Sequence, residues 1–342
     1  MWKVGTELEL TELINVAPDQ ETLLIFAKGK NYITDNEKNI ACAVSGGSDS
    51  SIMVDILTKL DIEKKIVYVF FDPGIEYQAT KEHLDYLEKR YGIEIKRVKA
   101  QKPVPVACRE YGVPFLTKYV SEMIERLQRH NFKWEDEPFD VLIKKYPHCK
   151  TALKWWCNAN GENSRFNISR HKLLKEFMIM NPPDFPISMK CCSYGKKLPS
   201  KQFCEENNIE LLCLGLRKCE SGIRSQNIKT CFSSSCDNGK SHDEWRPIFW
   251  LDDNQKQEYK QMNDVVYSDC YEVYGLKRTG CFGCPFGSGF EDELAIIEEH
   301  EPKLHRAATT VFGKSYEYTR AYRRFKGGLW CKLTSAELQA MN

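Results

Sequence analysis

An open, parallel, twisted α/β sheet with helices on both faces is the fold class this sequence predicts, and three observations predict it. Short apolar runs alternate with segments whose apolar residues recur at helical spacing. A glycine- and serine-rich loop, Ser45-Gly46-Gly47-Ser48-Asp49-Ser50, falls at the first junction between such a run and such a segment. The same rhythm then resumes after a long interruption. Strands alternating with helices imply a parallel sheet covered on both faces, and 342 residues suffice for one large domain with additions, or for two domains.

The elements follow in order. Residues 1–38 are mixed and polar, an N-terminal extension with one helix and a loop. Ile40 to Val44 is a short apolar strand; the loop follows, and Ile52, Ile56 and Leu60 mark a helix face. Lys65 to Phe71 reads as a buried strand closing at Asp72-Pro73-Gly74, and Leu84, Leu87 and Tyr91 line an amphipathic helix. Ile93 to Val98 alternates as a third strand does. Residues 101–187 interrupt the rhythm with aromatic and basic helical patterns (Trp134, Trp155, Trp156, His171) and a proline-rich stretch at 181–186, which together read as a helical insertion. Ile209 to Leu214 resumes the sheet and leads into Gly215-Leu216-Arg217. From Glu291 the pattern is helical again, with Leu294, Ile297, Leu304 and a basic segment at 320–326. The expected division is therefore an extension over 1–38, an α/β domain over 39–290 that contains the insertion 101–187, and a C-terminal helical extension over 291–342.

Composition narrows the setting. No segment approaches the roughly 18 uninterrupted apolar residues that span a bilayer, and the first residues lack the apolar core of a secretory signal, so a cytoplasmic protein without a membrane partner is expected. Lys plus Arg number 49 against 48 Asp plus Glu, a net +1 that makes no global case for binding nucleic acid. Fifteen cysteines is a high count for a reducing compartment, where thiols serve metal sites or catalysis. Cys42 and Cys213 lie inside apolar runs and read as small core residues.

Three sets of residues carry chemistry. Gly46 and Gly47 let backbone N–H groups approach phosphate oxygens, and a helix N-terminus adds a favourable dipole. The candidate nucleotide-binding set is Ser45, Gly46, Gly47, Ser48, Asp49 and Ser50, joined by Asp72, Gly74 and Gly215 at later strand ends. Asp49 suits capping the helix or holding Mg²⁺ near the phosphates; a serine-rich turn that only caps a helix is the plainer alternative. Arg217 and Arg224 suit clamping an anion beside a strand end, with Glu220 or Ser221 fixing the turn. Cys191-Cys192 and the pair Cys281 and Cys284 form a four-thiolate set suited to one iron–sulfur cluster or one zinc ion. Cys231 with Cys236, and Cys149 with Cys157 beside His148, are weaker groupings for which unpaired thiols are the plain reading.

These residues carry a resemblance. The loop is similar to the SGGxDS signature of the ATP pyrophosphatase, or PP-loop, superfamily. Phe71 to Tyr77 with Thr80 is similar to the second-strand ending of its phosphoadenylyl-sulfate (PAPS) reductase branch, with Pro73 standing where Thr is usual. Gly215 to Arg224 resembles that branch's GxRxxES-x-x-R element. Arg246-Pro247-Ile248-Phe249-Trp250, Tyr259 and the stretch from Tyr271 through Arg278 to Cys281 resemble its later aromatic segment. Met189 to Pro199 resembles the paired-cysteine segment of assimilatory adenylyl-sulfate (APS) reductases, with Gly195 where Arg is usual. The matches run in order from about residue 40 to 285.

The resemblance implies a Rossmann-type PP-loop fold, ATP or another adenine nucleotide as ligand, and a [4Fe–4S] cluster on Cys191, Cys192, Cys281 and Cys284. Lys196, Arg217, Arg224 and, in the tail, Cys331 are its candidate catalytic residues. Two reactions follow from it. The first is ATP-dependent adenylation with pyrophosphate release, then sulfur transfer to a small-molecule or nucleic-acid acceptor, with a cysteine desulfurase as a candidate partner. The second is thiol-dependent reduction of APS or PAPS to sulfite, with a thioredoxin-like thiol donor. The intact loop favours transfer, because a reductase need not expel pyrophosphate and the chain ends without the family's E-C-G-L-H motif. A nucleotide- and cluster-binding regulatory module is a third, non-enzymatic reading.

Overall fold

The computed structural model describes residues 15–34, 37–61, 63–219, 228–287 and 289–327. They fall into two compact units, one drawn from 1–101 and 196–280, the other from 102–195 and 281–342. The C-terminal helices, expected as a separate extension, thus lie in the same unit as the insertion.

The first unit is built on a six-stranded sheet of order β3-β2-β1-β4-β6-β5. Its strands are β1 (Ile40–Ala43), β2 (Val67–Asp72), β3 (Ile95–Lys99), β4 (Leu211–Leu214), β5 (Phe232–Ser233) and β6 (Asp243–Trp245). All pairings are parallel except β5 on β6. The first four are the strands expected from the sequence, with ends shifted by a residue or two. The last two are too short and polar to read as strands, yet β6 sits in register with β4, Leu211 beside Asp243 and Cys213 beside Trp245. Strand order reverses at β1, with β2 and β3 on one side and β4 on the other.

The longer helices of this unit among the described residues are α1 (Gln20–Gly29), α2 (Ser48–Leu60), α3 (Gln78–Tyr91), α4 (Leu198–Glu206) and α5 (Asp253–Met262). The two-residue period of the strands sorts the side chains between two cores. Ile40, Cys42, Tyr68, Phe70, Leu211 and Cys213 pack with Phe26 of α1, Ile52, Ile56 and Leu57 of α2 and Leu84 and Leu87 of α3. The alternate residues Ala41, Val69 and Leu212 pack with Phe203 and Cys204 of α4. Cys42 and Cys213 are register partners and fully buried. On the first of these faces the buried Asp55 of α2 accepts hydrogen bonds from Tyr259 Oη at 2.7 Å and Tyr91 Oη at 2.9 Å and pairs with Lys59. Those partners offset the cost of burying a carboxylate and tie α2 to α5 and α3.

The second unit is helical, with longer segments at Val104–Tyr111, Lys118–Arg129, Phe290–His300 and Pro302–Lys326. Its core gathers Phe115, Ile124, Leu127, Trp155, Trp156, Phe177 and Ile187 around Tyr318, Tyr322 and Phe325 of the last helix. Tyr318 Oη donates to the Asn181 carbonyl and Tyr322 Oη to that of Lys172, each at 2.7 Å. Trp155 and Trp156 of the insertion are therefore packing residues, with Trp134 packed against them. Among the described residues no helix is long and apolar enough to cross a membrane.

Candidate functional sites

In the first unit the chain leaves β1 and turns through Gly46 at φ +70, where an added Cβ would stand 2.6 Å from Thr80 Cγ2. Only glycine meets both demands. Gly47 is the N-cap of α2, extended and without a side-chain cap, so it leaves first-turn N–H groups for a ligand to satisfy. The hydroxyls of Ser50 and Ser51 donate to the Gly47 carbonyl at 2.9 and 3.1 Å, and Ser45 Oγ lies 3.2 Å from Ser50 Oγ. Ser50 and Ser51 thus brace the loop, while Ser45 is exposed. Ser51 Oγ also stands 2.8 Å from His83 Nε2, and burial lowers the His83 pKa to about 4, keeping the ring neutral near pH 7. Gly215, at the end of β4, closes on the same turn: a Cβ there would be 3.3 Å from Ser50 Cα. Gly46, Gly47 and Gly215 of the predicted set therefore meet where strand order reverses, the usual crevice of an open α/β sheet, while Gly74 lies in the turn after β2. Asp72 accepts from the Gly74 N–H at 2.8 Å, closing the turn after β2.

Asp49 is an anchor for cations. Arg217 Nε lies 3.0 Å and Lys256 Nζ 2.6 Å from its Oδ1. Arg217 is buried and extends further donors to Asp253 Oδ1 at 2.8 Å, Cys219 Sγ at 3.0 Å and the Leu251 carbonyl at 3.4 Å. The residue read as half of an anion clamp is thus engaged by protein groups on several sides. Arg224, Glu220, Ser221 and Cys331 lie outside the described residues. Lys256 was missed by the sequence reading, because the polar pattern of α5 does not set it apart. Tyr271 Oη and Thr279 Oγ1, 2.8 Å apart, stand over Gly47, where a Cβ would meet them at 3.1 and 3.3 Å.

A second missed residue is Glu76, beyond β2 and 3 % exposed. Burial raises its pKa to about 7, and Lys196, whose Nζ is 3.9 Å away, opposes the shift. Lys196, a candidate from its sequence context, thus faces a carboxyl that no motif flagged.

The four cysteines all lie in the second unit. Cys191 and Cys192 end the short helix Lys190–Cys192; Cys281 and Cys284 bracket a turn in which the Cys284 N–H donates to the Cys281 carbonyl at 3.2 Å. Gly283 permits that turn at φ +63, and the Tyr316 hydroxyl donates to its carbonyl. A hydrogen bond with Cys108 raises the Cys191 thiol, against an opposing bond from Cys192 and with further raising by Cys284. Burial raises the Cys284 thiol to about 12, opposed by the Phe286 N–H and reinforced by Cys281 and Cys192. Cys191 and Cys284, raised in this way, would ionise only with cations bound beside them, and together with Cys192 and Cys281 they make a donor set of the kind that suits an iron–sulfur cluster. Among the described residues no group of three or more His, Cys, Asp or Glu side chains is arranged to hold a single metal ion. Cys108, on the helix Val104–Tyr111, is a fifth thiol that the sequence reading did not include. Cys149 and Cys157 each donate to a backbone carbonyl, of Arg126 and Glu137.

Comparison with known proteins gives the following. The family profile described as the phosphoadenosine phosphosulfate reductase domain matches residues 39–286. An uncharacterized protein of Methanocaldococcus jannaschii is 32% identical over 130 residues, 36% of this chain and 27% of that protein. The glutamine-hydrolyzing GMP synthase of Nitratidesulfovibrio vulgaris is 33% identical over 70 residues, 20% of this chain and 13% of that enzyme. The matches thus span about a quarter or less of the length of these curated relatives. Among solved structures, a PAPS reductase from Candida auris in a phosphate complex covers 81% of this chain and 98% of its own, at 13% identity and TM-score 0.42. The U34-tRNA thiolase NcsA from Methanococcus maripaludis, with its [4Fe–4S] cluster, covers 91% and 82% at 15% identity and TM-score 0.36. The NH3-dependent NAD synthetase of Campylobacter jejuni covers 92% and 98% at 12% identity and TM-score 0.36.

Proposed function

The chain belongs to the phosphoadenosine phosphosulfate reductase domain family, and from that premise we propose that it is an ATP pyrophosphatase-type sulfurtransferase. It binds ATP at the Ser45–Ser50 loop and moves adenylate onto an oxygen of its acceptor. A new bond forms between that oxygen and the α-phosphorus, the α–β bridging bond breaks, and pyrophosphate leaves with the electron pair. A sulfide-level sulfur nucleophile from an external donor then attacks the activated centre, and as the bond to sulfur forms the bond from that centre to the adenylate oxygen breaks and AMP leaves with the electron pair. The observation that carries this reading is the complete glycine loop at the β1/β4 reversal, with a helix N-terminus that no N-cap side chain closes. N–H groups fixed there stabilise charge as it builds on the leaving pyrophosphate. Asp49, already balanced by two cations, leaves Mg²⁺ to arrive with the nucleotide. Glu76, buried at the end of β2 with the half-exposed Lys196 3.9 Å away, supplies a carboxyl that can exchange a proton near neutral pH.

Cys191, Cys192, Cys281 and Cys284 are the residues that would hold a [4Fe–4S] cluster, which when bound supplies a site for sulfur handling. The family's own description favours one second reading, reduction of APS or PAPS to sulfite at the expense of an external thiol. Anaerobic incubation with ATP plus candidate acceptors, and separately with APS or PAPS plus a dithiol, distinguishes the two when pyrophosphate and sulfite are both measured. Pyrophosphate that appears only when ATP and an acceptor are present together supports transfer. Sulfite from APS or PAPS without ATP rules transfer out and establishes reduction.

A further inference from the structure

We infer that Lys256 is the cation that makes this site select polyphosphate, gripping the β- and γ-phosphates of ATP and then the departing pyrophosphate. The inference rests on the ATP-dependent reading and identifies a residue at its leaving-group end. Helix α5 starts with a capping box in which Asp252 Oδ1 accepts from the Gln255 N–H at 2.9 Å and Gln255 Oε1 accepts from the Asp252 N–H at 3.1 Å. That box fixes the register of the first turn and so the direction of Lys256. The lysine stem is largely buried, its Nζ lies 5.4 Å from the Tyr267 ring centre, and its head reaches Ser48 Oγ at 2.7 Å and Asp49 Oδ1 at 2.6 Å.

Both contacts belong to the first turn of α2, where incoming phosphate oxygens meet N–H groups that the N-cap leaves open. Arg217 meets the same Asp49 oxygen, so two cations share one carboxylate oxygen. Asp253 offsets Arg217 in turn, so two cations face two carboxylates there and a phosphate enters by displacing Asp49 from one of the cations. The two cations differ in freedom. Arg217 is pinned by Asp253, Cys219 and the Leu251 carbonyl, whereas Lys256 carries a point charge on a flexible stem and can exchange Asp49 for a phosphate oxygen. A ligand with a single phosphate, held by the loop N–H groups, gains little from this exchange; a triphosphate or free pyrophosphate gains a charge-assisted hydrogen bond.

The test is calorimetric titration of the full chain with pyrophosphate, ATP and AMP, each with Mg²⁺, for the wild type, Lys256→Met and Lys256→Arg. The Met variant is expected to weaken pyrophosphate and ATP by about tenfold to a hundredfold while leaving AMP within about twofold, and Arg is expected to restore most of the loss. Three results would overturn the inference: a Met variant that holds pyrophosphate as the wild type does, a loss of AMP in step with ATP, or a wild type that binds pyrophosphate no better than AMP. If the wild type holds pyrophosphate through Lys256 yet never releases it from ATP with any acceptor, the transfer reading fails while the role of Lys256 stands.

Discussion

Glu76 shows how much a single buried group adds that a motif does not. Its folded pKa of about 7 lies above the ordinary 4.5 because burial penalises the charged carboxylate more than Lys196 rewards it. A carboxyl with a raised folded pKa contributes stability that is fully present below its unfolded value and is lost as pH rises through the folded one. Wild-type stability should therefore decline across pH 4.5 to 7 on account of this residue. Glu76→Gln keeps the shape without the charge, so its melting temperature should exceed the wild type's at pH 8, by the equivalent of about 1–3 kcal/mol, and the gap should close near pH 4.5. Melting curves of both proteins at pH 4.5, 6 and 8 check this; equal gaps at all three values would mean the carboxyl is not desolvated as described. Glu76 sits within a segment that the sequence reading quoted, but its side chain's seclusion depends on Tyr77, Lys196 and the end of β2 converging, which no local pattern encodes. The glycines were legible for the opposite reason: Gly46 and Gly215 are demanded by backbone geometry and close approach, and that need is written in the residue type itself.

At the level of elements, α5 is where local sequence rules and the site meet. Asp252 and Gln255 satisfy two orphan donors of the helix N-terminus, and the next residue is Lys256. Asp252→Ala should cost about 1 kcal/mol of global stability and, by fraying the turn that aims Lys256, weaken pyrophosphate binding more than AMP binding. Urea unfolding beside the same titrations measures both quantities. An Asp252→Ala protein of unchanged stability would show that the box is not what starts the helix. β1, β2 and β4 and the helices after β1 and β2 were readable because the apolar pattern is strong where an element is well covered, and the edge strand β3 by its alternation. β5 and β6 were not, because Phe232-Ser233 and Asp243-Glu244-Trp245 are strands by virtue of their neighbours: the open edge of β4 recruits them, and Trp245 contributes the buried side chain.

On the scale of the whole molecule, the cysteine set joins two stretches of chain, 102–195 and 281–327, that the sequence keeps apart but the fold places in one compact unit. Residue chemistry alone, four thiols in two pairs, made this set visible; Cys108 escaped because its proximity to Cys191 comes from the packing of the helix Val104–Tyr111 against Lys190–Cys192. A cluster bound to thiols from two distant stretches acts as a cross-link, and metal binding at such a site is coupled to folding. Removing iron should therefore loosen residues around 190–195 and 281–287 while leaving β1 to β4, which belong to the other unit, unchanged. Hydrogen exchange of anaerobically purified protein before and after chelation reads this directly: peptides from the cysteine segments should exchange at least about tenfold faster, as for any local opening that becomes about 1.4 kcal/mol easier. Cys284→Ala should reproduce the pattern and lose the bound iron together with the broad absorption near roughly 400 nm of thiolate-ligated clusters. ATP should act in the opposite unit, slowing exchange at residues 44–52. Full iron occupancy in the Cys284→Ala protein would remove Cys284 from the ligand set, and faster exchange in β1 to β4 on chelation would show that the thiols brace more than the unit that carries them.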